Sequence, residues 1–220
     1  MQALCAILQH HEMEETQQEK YLGLMRVVRS RLDAIKSLTN FNFDDFNNAE
    51  IAAFHGRKII EAIAFGCLIG AKNGLKIIPK EAHGQYNAEK ILKTLSRKGI
   101  EIFPSPSEIR NATENESKEH DVKIVIDGIP DKKITKVELI KKYQRMHSWL
   151  HELNPYTKEG QQMFHEKNQG QLLKDLNELR LFLASHIMSI NGEAFFCTLT
   201  DKIDGRTKVI SLSKVADLTT

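Results

Sequence analysis

Residues 59–71 read Ile-Ile-Glu-Ala-Ile-Ala-Phe-Gly-Cys-Leu-Ile-Gly-Ala, apolar on every side of a helix except at Glu61. A helix that is hydrophobic all round offers water no face, so other elements must wrap it or lipid must. The run falls short of the roughly 20 residues a bilayer requires, and it carries a carboxylate. It therefore predicts the central, buried helix of a bundle. An unpaired buried carboxylate is expensive, so Glu61 must find a partner or shift its pKa. Arg57, one turn earlier, is the local candidate, and a structural ion pair is favoured over a catalytic acid.

The elements around this run follow from apolar spacing and end signals. Residues 15–38 place Leu22, Met25, Val28, Leu32 and Ile35 on one helical face. The opposite face carries Arg26, Arg29 and Arg31, a solvated basic strip or, less simply, a phosphate-binding one. A turn-rich stretch, 40–48, leads to the central helix over 48–72, closed by Asn73-Gly74. A shorter helix starts at the N-cap Asn87 and ends at Lys98 before Gly99. Residues 100–133 form an exposed, irregular insertion with a strand at 122–126. Thr135-x-x-Glu138 is a capping box opening a helix whose stripe is Leu139, Tyr143, Met146, Leu150 and Leu153, halted by Asn154-Pro155. A long helix is expected over 158–190, stopped at Asn191-Gly192, and a β-hairpin at about 193–213. The sum is one mainly α domain over 1–220, a helical bundle with a small β element and a C-terminal hairpin.

Composition narrows the function classes. The net charge of +2 leaves nucleic-acid binding to a local patch. The three cysteines, Cys5, Cys67 and Cys197, are distant and odd in number, which fits a reducing compartment. The first ten residues have no basic leader, so no signal peptide or anchor is read, and a cytoplasmic location without membrane attachment is expected. Asn-x-Ser/Thr triplets at Asn111 and Asn115 carry no weight without a secretory signal.

There is no Gly-rich phosphate loop, Cys-x-x-Cys, His-Glu-x-x-His or Gly-x-Ser-x-Gly. His10-His11 reads as a solvated pair. His147 and His151 have metal-ligand spacing but no third ligand, so neither metal nor cofactor is expected. What remains is Arg145-Met-His-Ser-Trp-Leu-His151. Histidine exchanges protons near neutrality, and arginine is a permanent bidentate donor for phosphate. The same spacing recurs from Arg180 to His186, so spacing alone does not discriminate. On a straight helix the two side chains stand about 120° apart. The Arg145 to His151 segment is preferred because it flanks the core stripe at a helix end, where residues can line a groove.

A buried helix with Arg57-Lys-Ile-Ile-Glu61, followed by one ending Arg145-x5-His151-Glu-Leu-Asn-Pro155, resembles the HEPN superfamily. Many of its members are metal-independent RNases that dimerise so that two Arg-x4–6-His motifs share a cleft, often in toxin–antitoxin or anti-phage systems. The resemblance implies a helical bundle acting on RNA as a homodimer, with a cognate antitoxin or defence-system partner. It implies Arg145 as the phosphate-binding residue and His151 as the proton-transfer residue; the setting of that pair adds the expectation that His147 assists or orients and that Glu61 or Arg57 supplies a contact behind them. Bulky Met146 after the arginine, the strand insertion and the terminal hairpin depart from the minimal pattern. The rival expectation is a non-catalytic dimerisation module or an RNA-binding accessory protein.

Overall fold

A computed structural model describes residues 16–41, 45–71, 87–151, 156 and 160–212, the side chains of 39–41 and 120 excepted. In chain order come helices α1 (Gln17–Phe41), α2 (Phe46–Gly70) and α3 (Ala88–Arg97), then strand β1 (Ser105–Asn111), helix α4 (Glu114–His120) and strand β2 (Ile124–Gly128). A 3-10 turn (Pro130–Lys132) leads into α5 (Lys136–Ser148) and α6 (Gln161–Leu183). Strands β3 (Ser185–Ile190), β4 (Glu193–Thr198) and β5 (Lys208–Ser211) follow.

The all-apolar run is the hub. Helix α2 packs against α1, α3, α5, α6 and β3, and Ile59, Ile60, Ile63, Ala64 and Cys67 are buried on it. Its glycines set how closely neighbours approach. A Cβ on Gly56 would stand 2.6 Å from Leu176 Cδ2 and 2.7 Å from Met146 Sδ; on Gly70 it would stand 2.5 Å from the Ser189 carbonyl oxygen. The bundle and the sheet therefore both close on α2 through positions that have no side chain. Of the predicted α1 stripe Met25, Val28 and Ile35 are buried and Leu22 and Leu32 half-buried, and Tyr21, outside that stripe, is buried with them. Of its basic face, Arg29 donates to the Gly205 carbonyl, and Arg31 lies 3.3 Å from His55 Nδ1 and 6.0 Å from the Phe54 ring centre. That strip is thus partly spent on the chain itself.

Expected caps are present. Asn87 accepts from the Lys90 N–H, Gly99 has φ +68°, and Thr135 and Glu138 form a reciprocal box. A second box, Thr113 with Glu116, opens α4.

Three expectations are corrected. The segment expected to be irregular holds β1 and α4, and β1 pairs with β2 from Ser107↔Gly128 to Asn111↔Ile124. The segment read as loop because β1 has no alternation to see: Pro106 and Ser107 are buried in succession and Glu108 and Ile109 exposed in succession. Arg110 ties the unit together, donating to Asp127 at 2.5 Å and to both Glu116 oxygens at 2.8 Å. Next, α6 stops at Leu183 rather than Ile190. Residues 185–190 form β3, with His186, Met188 and Ile190 inward at period two. Asn191 and Gly192, with φ of 53° and 88°, make the two-residue turn into β4. Asn-Gly serves both as a helix stop and as a hairpin turn, and here it is the turn. Finally, α5 ends at Ser148, so His151 lies just past the helix.

The five strands form one antiparallel sheet in the order β2-β1-β3-β4-β5. The expected hairpin appears as β4 and β5, with Phe196↔Ile210 and Cys197↔Val209 in register. One core joins helices and sheet, since Met188, Phe195, Cys197 and Val209 share it with Ile63, Leu92 and Phe182. Among the described residues no helix is long and apolar enough to cross a membrane. Cys5, His10-His11, Asn73-Gly74, Asn154-Pro155 and the expected helix start at 158 lie outside the described residues.

Candidate functional site

Positions 145 and 147 are about 200° apart around a helix, and that angle divides the expected site in two. One side of α5 faces α2 and carries His147. The other faces α6 and carries Arg145.

On the α2 side, Nη1 of Arg57 is 2.8 Å from Nδ1 of His147, and Nε2 of His147 is 3.0 Å from Nε2 of His151. The two imidazoles cross at 68° with centres 4.3 Å apart. Arg57 also donates from Nη2 to the Tyr143 hydroxyl at 3.1 Å, and its guanidinium carbon lies 5.1 Å from that ring centre. Behind it sits Glu61, whose side chain is 6% exposed. The Tyr143 hydroxyl donates to Glu61 Oε1 at 3.3 Å, and Lys58 Nζ donates to Oε2 at 2.7 Å. Arg57 Nε lies 3.3 Å from Oε1, an ion-pair distance without hydrogen-bond geometry, and among the described residues it is a buried polar atom with no hydrogen-bond partner. The local Arg57–Glu61 pair is therefore real, reinforced by Lys58 and Tyr143.

Hydrogen-bond direction orders the protons. A guanidinium only donates, so Nδ1 of His147 accepts. A neutral His147 then holds its proton on Nε2 and gives it to Nε2 of His151, leaving the His151 proton on Nδ1. Burial, then the charge of Arg57, then His151 hold His147 below its ordinary pKa, which favours its neutral form. His151 is exposed and forms the outer end of the chain of contacts. The same proton placement occupies the nitrogen a metal needs. Among the described residues no three His, Cys, Asp or Glu side chains converge as a metal site.

On the α6 side, Arg145 is clamped on Asp175, with Nε to Oδ2 at 2.7 Å and Nη2 to Oδ1 at 2.8 Å. Lys142 Nζ donates to the same carboxylate at 2.9 Å and also to Glu178, and Gln171 donates to it at 2.9 Å. Burial works to raise the Asp175 pKa, but the bonds from Arg145 and Lys142 hold it below the usual carboxylate range. Hydrogen bonding to Asp175 raises Arg145 in turn. So the structure brings together Arg57, Glu61, His147 and His151, and it turns Arg145 away from them.

The other spacing match separates as well. Arg180 donates to Asn177 Oδ1 at 2.8 Å on α6, whereas His186 is wholly buried on β3. Its Nδ1 donates to the Leu183 carbonyl at 3.2 Å, so Nε2 accepts from the Tyr21 hydroxyl at 2.7 Å.

Sequence reasoning placed Tyr143 in the core stripe and passed over Lys142 and Asp175. A signal for Asp175 exists: Leu172, Asp175, Leu176 and Leu179 share one helical face, and an acid on an apolar stripe needs a cation. Tyr143 carries no such signal, because a tyrosine on a stripe is ordinary core. No family model, curated protein or solved structure matches this chain.

Proposed function

We propose that the protein is a metal-independent endoribonuclease of HEPN type, acting as a homodimeric toxin or anti-phage defence effector with a cognate antitoxin or defence partner. The observation that carries this reading is the 3.0 Å contact between His147 and His151, braced by Arg57. Paired imidazoles with a fixed cation behind them suit phosphodiester cleavage, in which a proton moves and charge grows on phosphate.

In the cleavage step a ribose 2′-hydroxyl displaces the His147 N–H from Nε2 of His151 and gives its proton to that nitrogen. The 2′-oxygen then bonds to phosphorus, the bond from phosphorus to the 5′-oxygen breaks, the leaving oxygen takes a proton from water, and the hydroxide so formed takes the proton from His151 and restores it. The products are a 2′,3′-cyclic phosphate and a 5′-hydroxyl. His147 orients His151 by hydrogen bond before the substrate enters and by ring contact once it has, and Arg57 orients His147 while supplying positive charge one hydrogen bond behind it. Arg145, held by Asp175, acts away from the histidine pair in this scheme.

Incubation with single-stranded RNA in chelator-containing buffer tests the reading. Cleavage to cyclic-phosphate ends, lost in His151→Ala, is the expected outcome; RNA left intact by the unaltered protein refutes it. The engagement of Arg145 by Asp175 favours a second reading, a non-catalytic dimerisation module. A dimer in sedimentation that leaves RNA intact supports that second reading.

A further inference from the structure

A groove of about 320 Å³ lies between the 3-10 turn, α5 and α6, on the side of α5 remote from the histidine pair. Its wall includes the cations Lys132, Lys133, Lys141, Lys142, Arg145 and Lys174 against the carboxylates of Asp131, Glu138 and Glu178. That is an excess of three positive charges on the wall, and of two once the buried Asp175 behind Lys142 and Arg145 is counted, as large as the +2 of the whole chain. The charge is thus concentrated here, and the acids that share the wall are largely committed. Glu138 closes the Thr135 capping box, and Glu178 accepts from Lys142.

The cations differ in the same informative way. The side-chain ammoniums of Lys132, Lys133, Lys141 and Lys174 make no ion pair or hydrogen bond among the described residues. Arg145 uses Nε and Nη2 on Asp175, which leaves Nη1 without a hydrogen-bond partner among the described residues. Asp175 therefore does two things. It neutralises buried Lys142, and it fixes the plane of a half-exposed guanidinium whose remaining donors are unspent. Among the described residues no aromatic side chain lines the groove, so they provide no platform on which a base can stack.

We propose that this groove is a binding track for the phosphodiester backbone of RNA, with Lys133, Lys141, Lys174 and Nη1 of Arg145 as its phosphate contacts. It extends the proposed ribonuclease activity by holding the strand on the face opposite the cleaving histidines. The lysines act as mobile point charges on phosphates, and Arg145 is the one rigid donor among them. Binding is therefore sequence-independent and steeply weakened by salt.

The test measures binding by fluorescence anisotropy with the full chain and a labelled 2′-O-methyl oligouridylate, which has no free 2′-hydroxyl and stays intact. Measurement runs between about 50 and 200 mM salt. The expected result is that the triple variant Lys133→Gln, Lys141→Gln, Lys174→Gln binds roughly tenfold or more weakly, with its log–log salt slope reduced by about two. Arg26→Gln, an exposed arginine on α1, is expected to bind as the parent does. Parent affinity and slope in the triple variant overturn the track, as does a parent protein that fails to bind, or one whose binding is halted by Arg26→Gln alone. Binding that depends on the lysines, in a protein that never cleaves unmodified RNA, leaves the track standing and removes only the activity.

Discussion

Arg57 on α2 donates to Nδ1 of His147 on α5 at 2.8 Å, and that one bond sets the tautomer of a histidine from a separate helix. It makes the charge of Arg57 a control on the His147–His151 pair. It also ties that pair to Glu61, buried in the central helix.

Removing Arg57 should therefore be read at the imidazoles. In Arg57→Ala the share of the His147 depression that comes from the Arg57 charge disappears, while the larger part, from burial, and the smaller one, from His151, remain. An NMR titration of the histidine ring signals is expected to show His147 titrating at higher pH than in the parent. An unchanged His147 titration would contradict the assigned contact. Stability falls too, by about 1–2 kcal/mol, because Glu61 keeps Lys58 but loses a cation; the figure is discounted from a fully buried pair for Arg57's partial exposure.

At the outer end of the contact chain the cost is chemical. His151 is exposed and packs little, so His151→Ala is expected to leave the thermal melt nearly unchanged. The same substitution lowers the proposed RNA cleavage by about 10²–10⁴-fold, the usual worth of one proton-transfer group. Rate measurement under metal-free conditions checks this, and cleavage at the parent rate excludes His151 from the chemistry.

Asp175 and Arg145 should separate in the opposite sense. Asp175→Ala leaves Lys142 buried with only Glu178 as partner and costs about 3–5 kcal/mol. Arg145→Ala removes a 42% exposed partner and leaves Asp175 still bound by Lys142 and Gln171. Its cost is about 1 kcal/mol. Urea denaturation of the two variants checks the order.

Gly56→Ala sets two magnitudes against each other. Alanine in a helix interior gains about 1 kcal/mol over glycine, yet the added Cβ would lie 2.6 Å from Leu176 and 2.7 Å from Met146. Overpacking of this kind costs about 1–3 kcal/mol. The melt is expected to fall modestly. Because Gly56 precedes Arg57, the outward shift of α2 should also disturb the His147 ring signals.

His186 gives the fold an acid limit. Burial pushes its pKa down from 6.5 to about 4. The unfolded chain therefore takes up that proton first as pH falls, and the folded state loses ground. The contribution is complete above pH 6.5, declines below it, and is gone near pH 4, with about 3 kcal/mol at stake. His186→Leu, of similar bulk, is expected to flatten stability over that window in urea titrations at stepped pH.

Much of the fold was legible because apolar periodicity and caps are local. The run at 59–71, the stripe through Leu139, Tyr143 and Met146, the cap at Asn87 and the Thr135–Glu138 box each declare themselves within a few residues. So does the β4–β5 pair. The sheet was legible only in part. Strand β1 lacks an apolar alternation, and β3 continues the apolar content of α6 with a change of period that Asn191-Gly192 does not disambiguate.

The sequence by itself determined that a helix without a polar face must stand at the centre, that Glu61 must find a partner or shift its pKa, and that His147 and His151 fall one turn apart. Only the tertiary structure decided which arginine meets those histidines. The contacts Arg57–His147 and Arg145–Asp175 span 90 and 30 positions. The choice between them depends on which faces of α5 turn toward α2 and α6. That is settled by packing around Gly56 and the apolar core, and no spacing along the chain encodes it.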